Sequence, residues 1–200
     1  SDDFNTYQFV KQLECKFPRP VIIVGPMAEP ICDKLVIHWS MNFARCFEVV
    51  HSTQDEMSEN VDSGTYLDYK LRKGGDRYEV VTANAVKEFS QKQTKHCLLD
   101  INMDAIERII NAHLYPIIIY LKFKSGKIIK DMRDGHFIKD KLSTKEAKDL
   151  YDTYLKQEKD SKHFFNVTIN AVSNLHQVCK DINDAVLEQQ KKALWVNNDE

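Results

Sequence analysis

Four short runs of consecutive apolar residues constrain the fold of this chain more than any other feature. They cover residues 20–24, 97–101, 116–121 and 165–169, and each is rich in Ile, Val, Leu or Phe. Strands of a parallel sheet that is covered on both faces have this composition. Because helical patterns separate the runs, the sequence predicts an α/β fold with a mostly parallel sheet.

The helices between the runs are indicated by their start signals and their apolar spacing. Residues 84–92 and 104–113 have helical patterns, and Ser143-Thr144-Lys145-Glu146 is a capping-box start for a long helix that reaches about Phe164. The last helix has one apolar stripe, formed by Leu175, Val178, Ile182 and Val186. Two end segments, 7–15 and 193–196, read instead as strands, and the sequence leaves open that they pair with each other.

Composition and charge argue against several classes of protein. The formal net charge of −2 gives no overall attraction for nucleic acid, and the longest apolar run, 114–121, is too short to cross a bilayer. We therefore expect neither a nucleic-acid partner nor direct membrane insertion. The five cysteines form no CxxC motif, and the histidines have no ligand spacing. This pattern predicts reduced, mostly buried thiols in an intracellular protein, without a metal site.

The first apolar run ends at Gly25 and precedes a helical pattern, where a phosphate-binding loop would lie. Such a loop has the pattern G-x-x-x-x-G-K-[ST], in which backbone amides hold phosphates, lysine reaches the β and γ phosphates and the hydroxyl binds magnesium. Here the second glycine is Pro30, the lysine is Ile31 and the hydroxyl residue is Cys32. The proline also removes an amide donor. The sequence predicts the strand–loop–helix geometry without the phosphoryl chemistry.

Four stretches connect this chain to a known family. RPVIIVGP, KHCLLDI, AHLYPIIIYL and LWV occur in this order, and together they resemble the guanylate kinase-like domain of membrane-associated guanylate kinase (MAGUK) scaffolds. DAIERII and FKSGKIIKDMRD are most similar to the Discs large five branch of that family. The resemblance spans almost the whole chain. It implies a P-loop kinase-like parallel sheet flanked by helices, a reduced monophosphate subdomain, and terminal strands resembling the end of an SH3 domain.

The resemblance also implies a division of the chain. Residues 1–18 would be an SH3-derived strand, residues 19–190 the guanylate kinase-like domain, and residues 191–200 an SH3-derived final strand. Within the domain, about 46–82 would form the reduced monophosphate-binding subdomain and about 122–148 the lid region. An adjacent SH3 domain in the full-length chain is therefore an expected partner.

Several positions that active guanylate kinases use are changed in this chain. The aspartate that helps at the metal matches Asp100, for which we expect a structural hydrogen bond to the Gly25 loop. The two acids that contact guanine in active enzymes fall on Asn102 and Asp68 in this chain. Asp68 stands where those enzymes have a glutamate, so its side chain is one methylene shorter. The arginine-containing segment that holds the monophosphate has no counterpart at residues 49–54. The resemblance thus implies no catalytic residue, metal or cofactor, and it does not transfer phosphopeptide binding by that arginine.

Aromatic and basic residues alternate around Gly74-Gly75. Aromatic residues and arginine are common at protein interfaces, and arginine pairs well with phosphate or carboxylate. A solvated hairpin is the equal alternative for this segment. The candidate partner contacts are Tyr66, Asp68, Tyr69, Arg72, Lys73 and Tyr78.

The resemblance implies a catalytically inactive, guanylate kinase-like module of a cytoplasmic cell-polarity scaffold, peripheral at the plasma membrane or cell junctions. A protein or peptide ligand, phosphorylated or not, would bind in the former nucleotide-monophosphate groove. Two alternatives stay open. One is a nucleotide-binding sensor or weak guanylate kinase, and the other is structural completion of the adjacent SH3 domain through residues 7–17 and 194–196.

Overall fold

The computed structural model describes residues 10–197, which form ten strands and seven α-helices. The strands are β1 (Val10–Leu13), β2 (Val21–Val24), β3 (Phe43–Arg45), β4 (Glu48–His51), β5 (Asp68–Leu71), β6 (Arg77–Val81), β7 (His96–Leu99), β8 (Ile117–Phe123), β9 (Val167–Ala171) and β10 (Leu194–Asn197). The helices are α1 (Ala28–His38), α2 (Gln54–Asp62), α3 (Ala83–Lys92), α4 (Ile106–Asn111), α5 (Gly126–Asp131), α6 (Thr144–Ser161) and α7 (Leu175–Lys191).

The main sheet has five parallel strands in the order β3-β7-β2-β8-β9. Each of the four predicted apolar runs contributes one strand, so the predicted α/β fold is confirmed. The edge strand β3 is missing from the prediction because it has only three residues. β9 begins two residues later than its predicted run, since Phe165 precedes the strand and stacks on Tyr120, with ring centroids 4.7 Å apart.

Helices cover both faces of the main sheet, which explains why its central strands β7, β2 and β8 are buried along most of their length. Val21 and Ile23 pack in one cluster with residues of α1 and α7. Ile22 and Val24 pack on the opposite side with residues of α3 and α4. Burying one side chain of this size contributes about 1.5–3 kcal/mol. All four residues of β2 are buried, so this strand lies at the centre of the core.

The predicted helices form with small changes at their ends. The region 104–113 begins as a 3₁₀ turn, Met103–Ala105, before α4. The capping box that starts α6 is present, because the Ser143 hydroxyl accepts from the backbone of Glu146 and the Glu146 side chain accepts from the backbone of Ser143. α6 ends at Ser161 and a 3₁₀ turn follows it. The four stripe residues of α7 are all buried.

A second, smaller sheet forms a separate layer. It is antiparallel, with the order β4-β6-β5, and α2 packs on one face through Met57, Tyr78 and Val80. Two short connections join this sheet to the main one: residues 46–47 between β3 and β4, and Thr82 between β6 and α3. The three-stranded sheet with α2 occupies the predicted monophosphate subdomain.

The two ends of the described chain pair as a two-stranded antiparallel ribbon. β1 runs against β10, with Val10 opposite Asn197 and Leu13 opposite Leu194. The pairing that the sequence left open is therefore present, although residues 7–9 of the predicted first strand lie outside the described residues. Gln190 of α7 holds the segment between β1 and β2, because its side chain donates to the Phe17 carbonyl at 3.0 Å and accepts from the Arg19 backbone N–H at 2.9 Å. Between residues 10 and 197, no helix has the length and apolar character needed to cross a membrane.

Candidate functional site

The loop after β2 keeps its first glycine for a packing reason. Gly25 has φ of +154°, and a Cβ at this position would lie 2.8 Å from the Cβ of Leu121 in β8. A larger residue would therefore push the loop away from the main sheet. Met27 follows in a left-handed conformation, φ 67°, and provides no side-chain cap to α1. Packing against Leu121 thus accounts for the glycine at this position.

The other loop positions have become part of the core. Pro30 is the third residue of α1, and it is tolerated because first-turn amides have no intrahelical acceptor. The first α-helical bond of α1 runs from the Ile31 amide to the Met27 carbonyl, at 3.1 Å. Ile31 and Cys32 are buried, and burial raises the pKa of Cys32 to about 12. The lysine and hydroxyl positions of a phosphate loop therefore hold inward-facing apolar groups.

Asp100 forms an ion pair across the cleft. It follows β7, and its Oδ2 lies 2.6 Å from the Nζ of Lys70 in β5. Partial burial alone would lower the pKa of Lys70, but the hydrogen bond and charge of Asp100 outweigh burial and raise it. The expected hydrogen bond to the Gly25 loop is thus replaced by this pair. The reason is that the facing sheet brings an ammonium group to the end of β7.

Asp68 and Asn102 are the two positions that the resemblance assigns to guanine recognition, and they are hydrogen-bonded to each other. The Asp68 carboxylate accepts from the backbone N–H of Asn102 at 2.8 Å. Asp68 is buried, and burial raises its pKa despite that hydrogen bond. Arg108 reinforces the junction, because its Nε donates to the Leu67 carbonyl at 2.7 Å. These bonds hold the three-stranded sheet against the main sheet.

A basic cleft of about 490 Å³ lies between the start of α1 and the three-stranded sheet. Its lining contains five cationic side chains, two carboxylates and one leucine: Arg45, Lys70, Arg72, Lys73, Arg77, Glu29, Glu79 and Leu71. Arg77, Glu79 and Lys70 share one face of the sheet, since Lys70 is opposite Glu79 and Arg77 is two residues away. The excess of cations gives the cleft a positive field, which favours an anionic ligand.

The cations of the basic cleft differ in how they are paired. Arg45 contacts Asp33 at 2.6 Å, and Lys70 contacts Asp100. Arg72 lies 4.0 Å from Glu79, at the limit of an ion pair. Across residues 10–197, neither Lys73 nor Arg77 has a carboxylate within ion-pair distance. These two side chains, together with the weakly paired Arg72, are available to a ligand.

The structure separates the predicted partner contacts into two groups. Arg72 and Lys73 are exposed and line the basic cleft. Tyr78 is only 4% exposed and packs against α2, and Tyr69 packs edge-on against it with ring centroids 5.8 Å apart. Tyr66 is partly buried in the same cluster. The aromatic side chains thus build the small core instead of facing the cleft, and buried Asp68 and Tyr78 are not surface contacts.

Sequence reasoning missed the remaining cleft residues. Glu29, Arg45 and Arg77 come from three segments that are far apart in sequence. Of the missed residues and their neighbours, only Arg77 and Glu79 could have been grouped from the sequence, because a spacing of two in a strand places both side chains on one face.

Within the part of the chain that the structure describes, no cluster of three His, Cys, Asp or Glu residues could hold a metal ion.

The predicted lid region, residues 122–148, is fastened to α1. It contains the end of β8, all of α5 and the start of α6. Lys34 of α1 and Asp134 form an ion pair at 2.5 Å, with side chains only 8% and 9% exposed. Burial alone would raise the pKa of Asp134, but its bonds to Lys34 and to the backbone of His136 and Phe137 lower it to about 2. This ion pair joins the segment to α1.

The sequence profile of the guanylate kinase family matches residues 47–189. The chain therefore belongs to the guanylate kinase family. It is 35% identical over 191 residues to Disks large homolog 5 of Homo sapiens, covering 95% of this chain and 10% of that protein. It is 27% identical over 212 residues to Disks large homolog 2 of Rattus norvegicus, covering 98% of this chain and 24% of that protein. The resemblance to MAGUK scaffolds is confirmed.

Two solved structures show the same fold. The SH3-kinase fragment of tight junction protein 3 matches with a TM-score of 0.67 at 24% identity, covering 94% of this chain and 64% of that one. Guanylate kinase from Anaplasma phagocytophilum matches with a TM-score of 0.52 at 12% identity, covering 92% and 90%. At these identities the likeness concerns the fold alone. The predicted P-loop kinase-like fold is confirmed.

Proposed function

We propose that this chain is a catalytically inactive, guanylate kinase-like interaction module that binds an acidic segment of a partner protein. The observation that carries the proposal is the state of the basic cleft. Lys70 and Asp68, which face the former nucleotide sites, are bonded to Asp100 and Asn102. Within residues 10–197, neither Lys73 nor Arg77 forms an ion pair with a carboxylate. Two cations of the cleft are thus available to an anionic partner.

The inactivity follows from the loop chemistry. Phosphoryl transfer depends on groups that stabilise charge on the transferred phosphate, chiefly a lysine and a bound magnesium ion. Ile31 and Cys32 stand where the lysine and the hydroxyl would be, and both are buried. Glu29 adds a carboxylate at the mouth of the same loop. No side chain at these positions can neutralise phosphate.

The binding chemistry follows from the open cations. Arginine forms paired hydrogen bonds with carboxylate or phosphate, so Arg77 suits either an acidic or a phosphorylated peptide. Leu71 is half exposed beside it and offers an apolar contact. Arg72 has only a distant pair to Glu79 and can turn to a ligand. We expect a short acidic peptide with one apolar residue to fit, whether or not it is phosphorylated.

A fluorescence-anisotropy screen tests this function with a library of acidic peptides in phosphorylated and unphosphorylated forms. For a peptide that binds, the double variant Arg72→Glu, Lys73→Glu should lose at least about tenfold in affinity, equivalent to about 1.4 kcal/mol. Lys180→Glu, an exposed change on α7, is the matched control. Equal binding by wild type and the double variant would place the ligand elsewhere.

Thermal melting with millimolar Mg·ATP, GMP and both together tests the sensor or weak-kinase alternative. A ligand at about a hundred times its Kd adds about 2.7 kcal/mol to stability, which is a shift of several degrees. The proposed module shows no shift. A clear shift with GMP alone would favour a sensor, and a shift that needs both ligands would favour residual kinase activity.

The cellular setting of the module is part of the same proposal. Because its relatives are MAGUK scaffolds, we infer a cytoplasmic protein, peripheral at the plasma membrane or cell junctions, with an SH3 domain beside this one. The chain covers 10% of Disks large homolog 5, so most of such a scaffold would lie outside these 200 residues. The boundaries near residues 18 and 191 fit this division, since they flank the β1–β10 ribbon.

The ribbon supports a second candidate role, the completion of that SH3 domain. β1 and β10 pair with each other and with no other strand of the described chain. Deleting residues 192–200 from an SH3-containing tandem should lower the melting temperature of the SH3 domain. An unchanged melting temperature for the truncated tandem would exclude this role and leave the peptide-binding role untouched.

A further inference from the structure

Cys46 lies in a short connection between the two sheets, residues 46–47, which we call the hinge. Residues 46–47 are one of the two connections between the main sheet and the three-stranded sheet, since β3 ends at Arg45 and β4 begins at Glu48. Any change in the angle between the two sheets must pass through this connection and through Thr82. A covalent link at Cys46 would therefore fix one side of the basic cleft.

Cys97 lies directly beside this hinge. β3 and β7 are parallel neighbours, with Ala44 opposite Cys97, so Cys46 stands two residues further along on the same face. Cys97 is fully buried, and the half-buried Cys46 packs against the same apolar cluster. A hydrogen bond with the Cys97 thiol lowers the pKa of Cys46, while the same contact and burial raise the pKa of Cys97. Of the two sulfurs, Cys46 is therefore the one that ionises more readily.

A small cavity gives access to Cys46. It has a volume of about 20 Å³, and Cys46 is part of its lining. The charged lining residues are two cations and three carboxylates: Arg45, Lys70, Asp68, Glu79 and Asp100. A cavity of about 10–15 Å³ already holds one water, so this one admits a molecule of similar size, such as hydrogen peroxide. Arg45 and Lys70 also line the basic cleft, so the cavity adjoins it. The hydrogen bond with Cys97 lowers the pKa of Cys46 against the opposing effects of burial and of the Glu48 charge.

The other cysteines lack this combination. Cys32 and Cys179 are buried, and burial raises the pKa of each to about 12. Cys15 lies near the terminal ribbon, where its thiol donates to the Phe17 carbonyl at 3.3 Å. Only at Cys46 do a hinge, a small cavity and a second thiol coincide among the described residues.

We propose that Cys46 and Cys97 form a peroxide-sensitive thiol pair whose disulfide fixes the hinge of the basic cleft. The Cys46 thiolate attacks hydrogen peroxide: an S–O bond forms, the O–O bond breaks, and hydroxide leaves and takes a proton to become water. The Cys46 sulfur is oxidised to a sulfenic acid as the peroxide is reduced. The Cys97 sulfur then attacks the sulfenic sulfur of Cys46, so that the S–S bond forms as the S–O bond breaks. The departing hydroxide takes the Cys97 proton and leaves as water.

The chemistry can be tested without any partner. The folded chain is treated with one equivalent of hydrogen peroxide, its free thiols are counted, and peptides from a non-reducing digest are mapped by mass spectrometry. We expect two of the five free thiols to be lost and a single cross-link between Cys46 and Cys97. Cys46→Ser and Cys97→Ala should each abolish the cross-link, whereas the control Cys15→Ser should keep it.

A second measurement, hydrogen exchange, reports whether the disulfide restricts the three-stranded sheet. A melting curve of each variant shows that it is folded. Hydrogen exchange of residues 48–81 should slow in the oxidised wild type and stay unchanged in peroxide-treated Cys46→Ser with a native melting curve. A cross-link between other cysteines, or oxygen added to Cys46 with Cys97 still free, would overturn the proposal.

The effect on the cleft rests on the proposed function. An acidic peptide that binds the reduced chain should bind the oxidised chain with altered affinity. A disulfide that forms without changing peptide affinity overturns the regulatory role. If no peptide binds either form while the disulfide forms, the proposed function fails and the thiol pair stands.

Discussion

The lid region and the three-stranded sheet both lie beside the main sheet, but different kinds of contact hold them. The lid region is fastened by the Lys34–Asp134 pair, whose side chains are about nine-tenths buried. The three-stranded sheet is joined by the Lys70–Asp100 pair, whose side chains are 45% and 35% exposed. Ion pairs open to solvent contribute little to stability, whereas breaking a buried pair leaves an uncompensated charge.

This difference indicates where the molecule can move. The lid region shares the large core of the main sheet, because Ile129 and Met132 belong to that cluster. The three-stranded sheet has its own small cluster of Met57, Tyr78 and Val80. Regions with few buried apolar contacts open at lower free energy than the global core. We therefore expect the basic cleft to change shape through the three-stranded sheet, with the lid region fixed.

Asp134→Asn should have the largest effect. It leaves the Lys34 ammonium buried without a counter-charge, and such a change costs about 3–5 kcal/mol. Urea denaturation measures the loss as a lower midpoint at an unchanged slope. Asp140→Asn, on an exposed residue of the same segment, is the control. A loss below about 1 kcal/mol would mean that water reaches Lys34 and that the lid region is not fastened.

Met57→Ala should have the next largest effect, and its effect should be local. Met57 is 1% exposed in the small cluster, and removing a buried methionine side chain costs about 2–5 kcal/mol. Because the cluster belongs to the three-stranded sheet, hydrogen exchange should accelerate in residues 48–81 and stay slow in β2 and β8. Met41→Ala, at an 81% exposed position, should change neither. Equal acceleration in both sheets would show that they unfold as one unit.

Acid should loosen the lid region at a defined pH. The pKa of Asp134 is about 2 in the folded chain against 3.8 for a free carboxyl. A lowered folded pKa means that its contribution, about 2 kcal/mol, is present above about pH 4 and is lost as the pH falls towards 2. The gap between the denaturation midpoints of wild type and Asp134→Asn should therefore narrow over this range. Midpoints that stay parallel would assign the acid sensitivity to other carboxyls.

Much of the fold could be predicted because its signals are local. The apolar runs of β2 and β8, the capping box at Ser143 and the stripe of α7 each reflect burial or hydrogen bonding within a few residues. The cleft could be predicted only in part. Arg72 and Lys73 stand in one segment, but Glu29 and Arg45 reach the cleft through the packing of α1 and β3. That arrangement is set by tertiary contacts that no short window contains.

The tyrosines show a local pattern that the sequence alone cannot interpret. Tyr69 and Tyr78 alternate with basic residues, a pattern that fits an interface and equally fits a sheet with one buried face. The register of β5 against β6 decides between these, because it places Leu71 opposite Tyr78 and Lys70 opposite Glu79. Which face α2 covers then determines that the tyrosines are core and the charged residues line the cleft.

Lys70→Met should have the smallest effect on stability, and it sharpens the comparison most. Because Lys70 and Asp100 are each more than a third exposed, solvent screening limits the loss to less than about 1 kcal/mol. The bonds from Asn102 to Asp68 and from Arg108 to Leu67 remain and keep the two sheets together. Urea denaturation of Lys70→Met beside the exposed control Lys159→Met measures the difference. If Lys70→Met costs as much as Asp134→Asn, then the ion pair holds the cleft closed, and the three-stranded sheet is as firmly fastened as the lid region.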